Sequence, residues 1–152
     1  MIPDLQDGVL PDGIHDCTID EVAQMFGQFR RTEQRIRLTE KLRQYVEDAR
    51  KSGVATAVVI DGSYVTAKEV PGDIDLLLVL KQDFDFNEEL RPMEYNIQSK
   101  RMVRRLYGFD VFTAKDASES YQQWVDFFLD VKLHDPDQYT SQPRKGILRI
   151  TL

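Results

Sequence analysis

Two aspartates spaced by one residue, Asp73 and Asp75, open the apolar run Leu76-Leu77-Leu78-Val79-Leu80. Side chains on a strand alternate between faces, so both carboxylates point the same way. Two acids held that close repel unless positive charge lies between them. A hard divalent cation that takes oxygen ligands, Mg²⁺ above all, meets that need. The strand itself is apolar on both faces, which marks it as central and buried. Such a strand has little reason to begin with two acids unless they act. Upstream, the β-branched run Val54–Asp61 stops at Gly62-Ser63. There a glycine lets backbone donors approach a ligand, and a hydroxyl with N–H groups beside it can hold phosphate oxygens. A third acid, Asp110, interrupts Phe109-Asp110-Val111-Phe112, again out of place unless it faces a site.

The elements that must position these groups read as alternating strands and helices, which argues for an α/β (α+β) layered domain. A small mixed sheet of three to four strands with helices packed on it is expected, in one domain over residues 1–152. Met1–Cys17 reads as an irregular arm rich in turn residues. Thr18-Ile19-Asp20-Glu21 is a capping box that starts a short helix. A longer helix is predicted from about Thr32 to Lys51, with Ile36, Leu38, Leu42, Tyr45, Val46 and Ala49 on its buried side. Together these form a helical N-terminal segment over 18–52. Strands follow at Val54–Asp61, Asp73–Leu80 and Phe109–Thr113. One helix is predicted from Pro92 to Tyr107 and another from Ala117 to Val131. His134–Lys145 reads as a polar loop, and Ile147–Leu152 as a short final strand.

Composition narrows the function classes. The net charge is −6, from 20 basic and 26 acidic residues, so general phosphate-backbone binding is not expected and DNA least of all. A small nucleotide neutralised by a metal ion suits an acidic protein. No apolar run has the length of a bilayer-spanning helix. No secretory signal is read at Met1-Ile2-Pro3-Asp4, and Cys17 is the single cysteine, so cytoplasmic residence is expected. His15-X-Cys17 lacks the second pair of a four-ligand zinc site, and no Ser lies in a Gly-X-Ser-X-Gly turn. Arg30, Arg31, Arg35 and Arg37 read as a solvated helix face, as do Lys100, Arg101, Arg104 and Arg105. Were the second cluster to flank the carboxylates, it would guide phosphates instead. Tyr121, Trp124, Phe127 and Phe128 read as core, and Lys145 as a solvated loop residue.

Gly62-Ser63 … Asp73-Ile74-Asp75-Leu76-Leu77 resembles the signature of the DNA polymerase β-like nucleotidyltransferase superfamily, and of its minimal bacterial branch in particular. Asp110 falls where that family places its third carboxylate. The resemblance spans about Val54–Thr113. More faintly, Leu10-Pro11-Asp12-Gly13 and Arg144-Lys145-Gly146-Ile147 look like those of an uncharacterised bacterial branch. The resemblance implies that Asp73, Asp75 and Asp110 hold one or two Mg²⁺ ions and are the catalytic set. It implies that Gly62 and Ser63, with Thr66 and Lys68 near them, bind the phosphates of a nucleoside triphosphate, with ATP expected. The implied reaction moves a nucleoside monophosphate onto a hydroxyl of a protein or RNA acceptor. Minimal members often belong to toxin–antitoxin or phage-defence pairs, so a protein partner is implied as well. Many of them carry an arginine shortly after Gly-Ser; here Tyr64, Val65 and Thr66 follow. That departure keeps a second reading open, in which the fold has lost turnover and serves as an antitoxin-like interaction module.

Overall fold

The computed structural model describes residues 1–28, 32–131 and 140–152. Arg30, Arg31 and His134 lie outside the described residues. The architecture is a mixed, open, five-stranded sheet in the order β1-β5-β2-β3-β4. The strands are β1 (Gly13–Cys17), β2 (Ala55–Asp61), β3 (Asp75–Leu80), β4 (Asp110–Lys115) and β5 (Gly146–Thr151). β2 runs antiparallel to both neighbours, β3 and β5, whereas β3–β4 and β1–β5 are parallel. The α/β class is as expected, with five strands rather than three to four. The extra strand comes from the arm: Gly13–Cys17 pairs with Gly146–Ile150, a long-range contact that its turn-rich sequence does not signal.

Helices cover both faces of the sheet. On one side lie α1 (Ile19–Val22), which continues as a wide turn through Gly27, α2 (Glu33–Ser52), α3 (Pro92–Gln98) and α4 (Lys100–Leu106). Leu42, Tyr45 and Val46 of α2 meet Ile60, Leu76 and Leu78 there, with Ile97, Val103 and Phe109. The opposite core is smaller. It packs Val125, Phe128 and Leu129 of α5 (Glu119–Leu129) on Ala57, Val59, Leu77 and Val79. β3 is therefore buried on both faces, as its unbroken apolar run requires. Each fully buried aliphatic side chain contributes about 1.5–3 kcal/mol. No helix among the described residues is long and apolar enough to cross a membrane.

Local signals set the ends. Thr18 and Glu21 form the capping box, and Thr32 caps α2 through Arg35 N. Gly53, at φ 70°, ends α2 in the left-handed conformation that favours glycine. The helix expected over Pro92–Tyr107 is two helices. Ser99 takes an extended conformation and its hydroxyl caps α4, which releases the chain to turn along the β4 edge. Ile36 is exposed, because the buried stripe of α2 runs through Leu38 and Leu42 instead.

Arg35 corrects the solvated-face expectation for the α2 start, while Arg37 is exposed. Arg35 is wholly buried and donates to the carbonyl oxygens of Phe26 (3.1 Å), Tyr64 (2.8 Å), Thr66 (2.8 Å) and Lys68 (2.5 Å). Its planar fork ties α2 and the turn after α1 to the loop that follows β2. Each of those carbonyls loses its partner if the fork is removed, at about 1–3 kcal/mol for a buried group. Gly146 is a second fixed point. A Cβ there would stand 2.2 Å from Pro11 O and 2.8 Å from Leu10 Cβ, so only glycine lets the arm lie against β5.

Arg35→Leu is expected to lower stability by at least about 3 kcal/mol in urea unfolding, since several acceptors lose their donor together. Lys at this position restores less than half, because an ammonium cannot reproduce the fork. A loss under 1 kcal/mol for Arg35→Leu contradicts the clamp. Gly146→Ala is expected to cost more than about 2 kcal/mol by the same measurement, while Gly72→Ala, where a Cβ meets nothing, costs much less.

Candidate functional site

Two of the three expected acids are neighbours at one end of the sheet, and Asp73 lies just ahead of β3. Asp75 opens β3 and is the register partner of Asp110 on parallel β4. Register partners on adjacent strands project to the same face. That face is the α5 side, since Leu77, Val79 and Ala114 follow these acids into the α5 core. Ile74 packs into the opposite core, and Asp73, which precedes β3, has its carboxylate on Ser63.

Gly62 fits tightly against this strand entrance. Its φ is 97°, and a Cβ would sit 3.1 Å from both Asp73 O and Asp75 N. Ser63 is turned onto Asp73. Its N–H (2.9 Å) and its hydroxyl (2.6 Å) both donate to Asp73 Oδ1, while the hydroxyl oxygen accepts from Gly72 N (3.1 Å). In this state Ser63 fixes the carboxylate, whereas the sequence suggested that it presents donors to phosphate.

Thr66 needs a correction. It is buried, its hydroxyl donates to Ser63 O (2.5 Å) and accepts from Lys68 N (3.2 Å), and its carbonyl lies on Arg35. The Thr66 side chain therefore builds the loop and does not face a nucleotide. Lys68 is half-buried, its backbone held by Arg35 at the far side of the same loop.

A fourth acid, which sequence reasoning passed over, completes the picture. Asp61, the last residue of β2, is the register partner of Asp75. Asp61, Asp75 and Asp110 thus stand abreast on three neighbouring strands. Like charges directly opposite each other on a sheet are destabilising, and cations stand at both ends of this row. Lys145 pairs with Asp61, with side chains 14% and 10% exposed. Lys145 is accordingly a buried ion-pair member, contrary to the solvated-loop expectation. Its backbone N donates to Leu129 O (2.9 Å), and Gly146 N to Leu10 O (2.8 Å), which fixes its approach. At the other end Arg104 Nη2 donates to Asp110 Oδ1 at 2.5 Å, with side chains 65% and 46% exposed.

The two pairs differ in kind. An exposed ion pair contributes about 0–1 kcal/mol, so Arg104 is readily displaced from Asp110. A buried pair costs about 3–5 kcal/mol to break, which keeps Asp61 bound to Lys145. Asp73, Asp75 and Asp110 are the acids expected to take a cation. Carboxylate oxygens with no thiol or imidazole among them suit Mg²⁺. Among the described residues, no three His, Cys, Asp or Glu side chains converge into a ready-made cage. Ser63 holds the Asp73 carboxylate and Arg104 that of Asp110, so both side chains must turn before those two acids can take a cation.

The basic cluster on α4 does flank the carboxylates. Arg104 meets Asp110, and Lys100, one turn earlier, lies 4.5 Å above the Phe112 ring. The α5 aromatics divide: Phe128 is core, Trp124 and Tyr121 are half-buried, and Phe127 is half-exposed. The His15 ring lies 2.6 Å from Pro11 O, and burial, with Glu21 nearby, pushes the Cys17 thiol up to about 12. The thiolate is the reactive form, so Cys17 is expected to resist iodoacetamide at pH 8 in the native protein and to react once unfolded. Rapid native labelling contradicts this burial. Lys145→Met is expected to destabilise the protein by about 3 kcal/mol in urea. Adding Asp61→Asn to it is expected to recover at least half, whereas purely additive losses deny the coupling.

No curated protein and no solved structure matches the chain. One family does, over residues 3–151, described as a family of unknown function (DUF6932). The match spans the arm, the carboxylate row and the final strand together, and the chain belongs to that family.

Proposed function

We propose that the chain is a Mg²⁺-dependent nucleotidyltransferase of the DNA polymerase β-like kind, acting in the cytoplasm. It moves a nucleoside monophosphate from a nucleoside triphosphate, ATP first among them, to a hydroxyl of an acceptor. The observation that carries this reading is the register of Asp75 with Asp110, with Asp73 held beside them by the Gly62-Ser63 bend. Asp73, Asp75 and Asp110 would hold the cation. Bound there, Mg²⁺ supplies positive charge against the polyphosphate and the departing pyrophosphate.

The chain's own groups do the rest. Ser63, once turned from Asp73, offers its N–H and hydroxyl to phosphate oxygens. The acceptor hydroxyl is held in line with the α-phosphorus. Asp110 takes its proton as the new O–P bond forms and the bond to the bridging oxygen breaks, releasing pyrophosphate. Arg104, freed from Asp110, stays within reach of the phosphates. The acceptor is a protein or an RNA, and the resemblance to minimal nucleotidyltransferases supports a role in a toxin–antitoxin or phage-defence pair.

A second reading is supported by the same hydrogen bonds. Ser63 and Arg104 occupy the carboxylates in the way a fold without turnover would. That version is an antitoxin-like module that binds a protein partner and no nucleotide.

Calorimetry with ATP, CTP, GTP and UTP in Mg²⁺, followed by transfer from α-labelled nucleotide, decides between them. The expected result is Mg²⁺-dependent binding of at least one nucleotide. Asp75→Asn is expected to weaken that binding by roughly tenfold or more and to cut transfer by about 100-fold or more, with the fold retained by circular dichroism. Equal transfer by wild type and Asp75→Asn sinks the catalytic reading. Tight partner binding without nucleotide binding establishes the second.

A further inference from the structure

The surface beside Asp110 joins cations to aromatic rings in one continuous series. Arg104 and Lys100 lie one turn apart on α4 and meet Asp110 and Phe112, which lie two residues apart on β4. A helical turn of about 5.4 Å matches a two-residue strand step of about 6.6 Å, so the helix tracks the edge strand. From Phe112 the series crosses to α5. Phe112 stacks on Trp124 at 4.1 Å between ring centroids, and Trp124 meets Phe127 edge-on at 5.9 Å. Phe127 is 50% exposed. Arg101 and Arg105, also one turn apart on α4, are exposed and form no ion pair among the described residues.

The protein carries −6 overall, so its general field repels a polyanion. Yet α4, Lys-Arg-Met-Val-Arg-Arg-Leu, holds four cations and no acid. A polyanion would meet four cations here against the general field. Aromatic faces interleaved with cations suit single-stranded nucleic acid, whose bases stack while its phosphates take the charges. A duplex hides its bases, and an acidic peptide has no use for the rings.

We infer that the α4 cations and the Phe112–Trp124–Phe127 series form a track for single-stranded RNA that leads its terminal ribose to the carboxylates. The inference rests on the proposed nucleotidyltransferase reading for what happens at the end of the track, and names RNA as the acceptor. Lys100, Arg101 and Arg105 take successive phosphates. Phe127 and the open edge of Trp124 take bases. The ribose at the end of the strand presents the hydroxyls that a nucleotidyl group is added to, and RNA has one more of them than DNA.

The test needs neither nucleotide nor Mg²⁺, so its outcome is separate from that of the proposed activity. Trp124 is the only tryptophan, and its fluorescence reports on this surface alone. A labelled single-stranded RNA of about a dozen nucleotides is titrated into the full chain, with anisotropy and Trp124 emission read together. The expected result is saturable binding that quenches Trp124 and weakens steeply with salt. Arg101→Glu with Arg105→Glu is expected to weaken it at least tenfold and to reduce the log–log salt slope by about 1.4, for two phosphates released. Phe127→Ala, an exposed change, is expected to weaken it roughly tenfold at an unchanged salt slope. Several results overturn the track: no saturable RNA binding, binding without quenching of Trp124, or binding that neither variant alters. Tighter binding of DNA of the same sequence, of an RNA duplex or of a poly-glutamate peptide overturns it as well.

Discussion

Acids in register on neighbouring strands repel, and the end of this sheet is organised around that repulsion. Asp61, Asp75 and Asp110 share one row because β2, β3 and β4 are hydrogen-bonded side by side in a fixed register. A one-residue slip would send each acid to the opposite face and into the apolar core. The double burial of β3 forbids such a slip, so the register that packs Leu76–Leu80 is also the register that sets the row. Cations make the row tolerable: Lys145 comes from just before β5, 84 residues beyond Asp61, and Arg104 from α4, six residues before Asp110.

The neutralisation is unequal, and the inequality separates structure from chemistry. Lys145 and Asp61 are nearly buried, their approach set by the backbone bonds from Lys145 to Leu129 and from Gly146 to Leu10. Such a pair holds two charges that neither can abandon cheaply. Arg104 and Asp110 face water, where the attraction is weak and screened. A divalent cation therefore competes with Arg104 far more easily than with Lys145. One end of the row is welded to the fold and the other is open to exchange.

The loop between β2 and β3 is held from behind by the same logic of satisfied polar groups. Arg35 gathers carbonyls from Tyr64, Thr66 and Lys68 onto α2, and Tyr64 shares a hydrogen bond with Thr39 at 2.5 Å. A seven-residue stretch that carries Gly62 and Ser63 is thereby fixed without a strand of its own. Ser63 can act on Asp73 because its backbone has nowhere else to go. The packing of α2 thus reaches the carboxylates through one side chain.

Much of this was legible in the residues alone. The apolar run made β3 central, and Thr18, Thr32 and Gly53 marked helix ends through local chemistry, whereas the strand expected from Asp73 begins only at Asp75. Those features depend on neighbours a few positions apart, which a sequence displays directly. Tertiary structure alone decided what depends on distant partners. The arm became β1 only by pairing with β5. Arg35 reads as one more surface arginine until four carbonyls are folded around it. Asp61 looks like the ordinary end of a strand until β3 lays Asp75 beside it, and Lys145 looks like a loop lysine until the chain returns as β5. A buried charge is identified by what surrounds it, and those surroundings are assembled only when the chain folds.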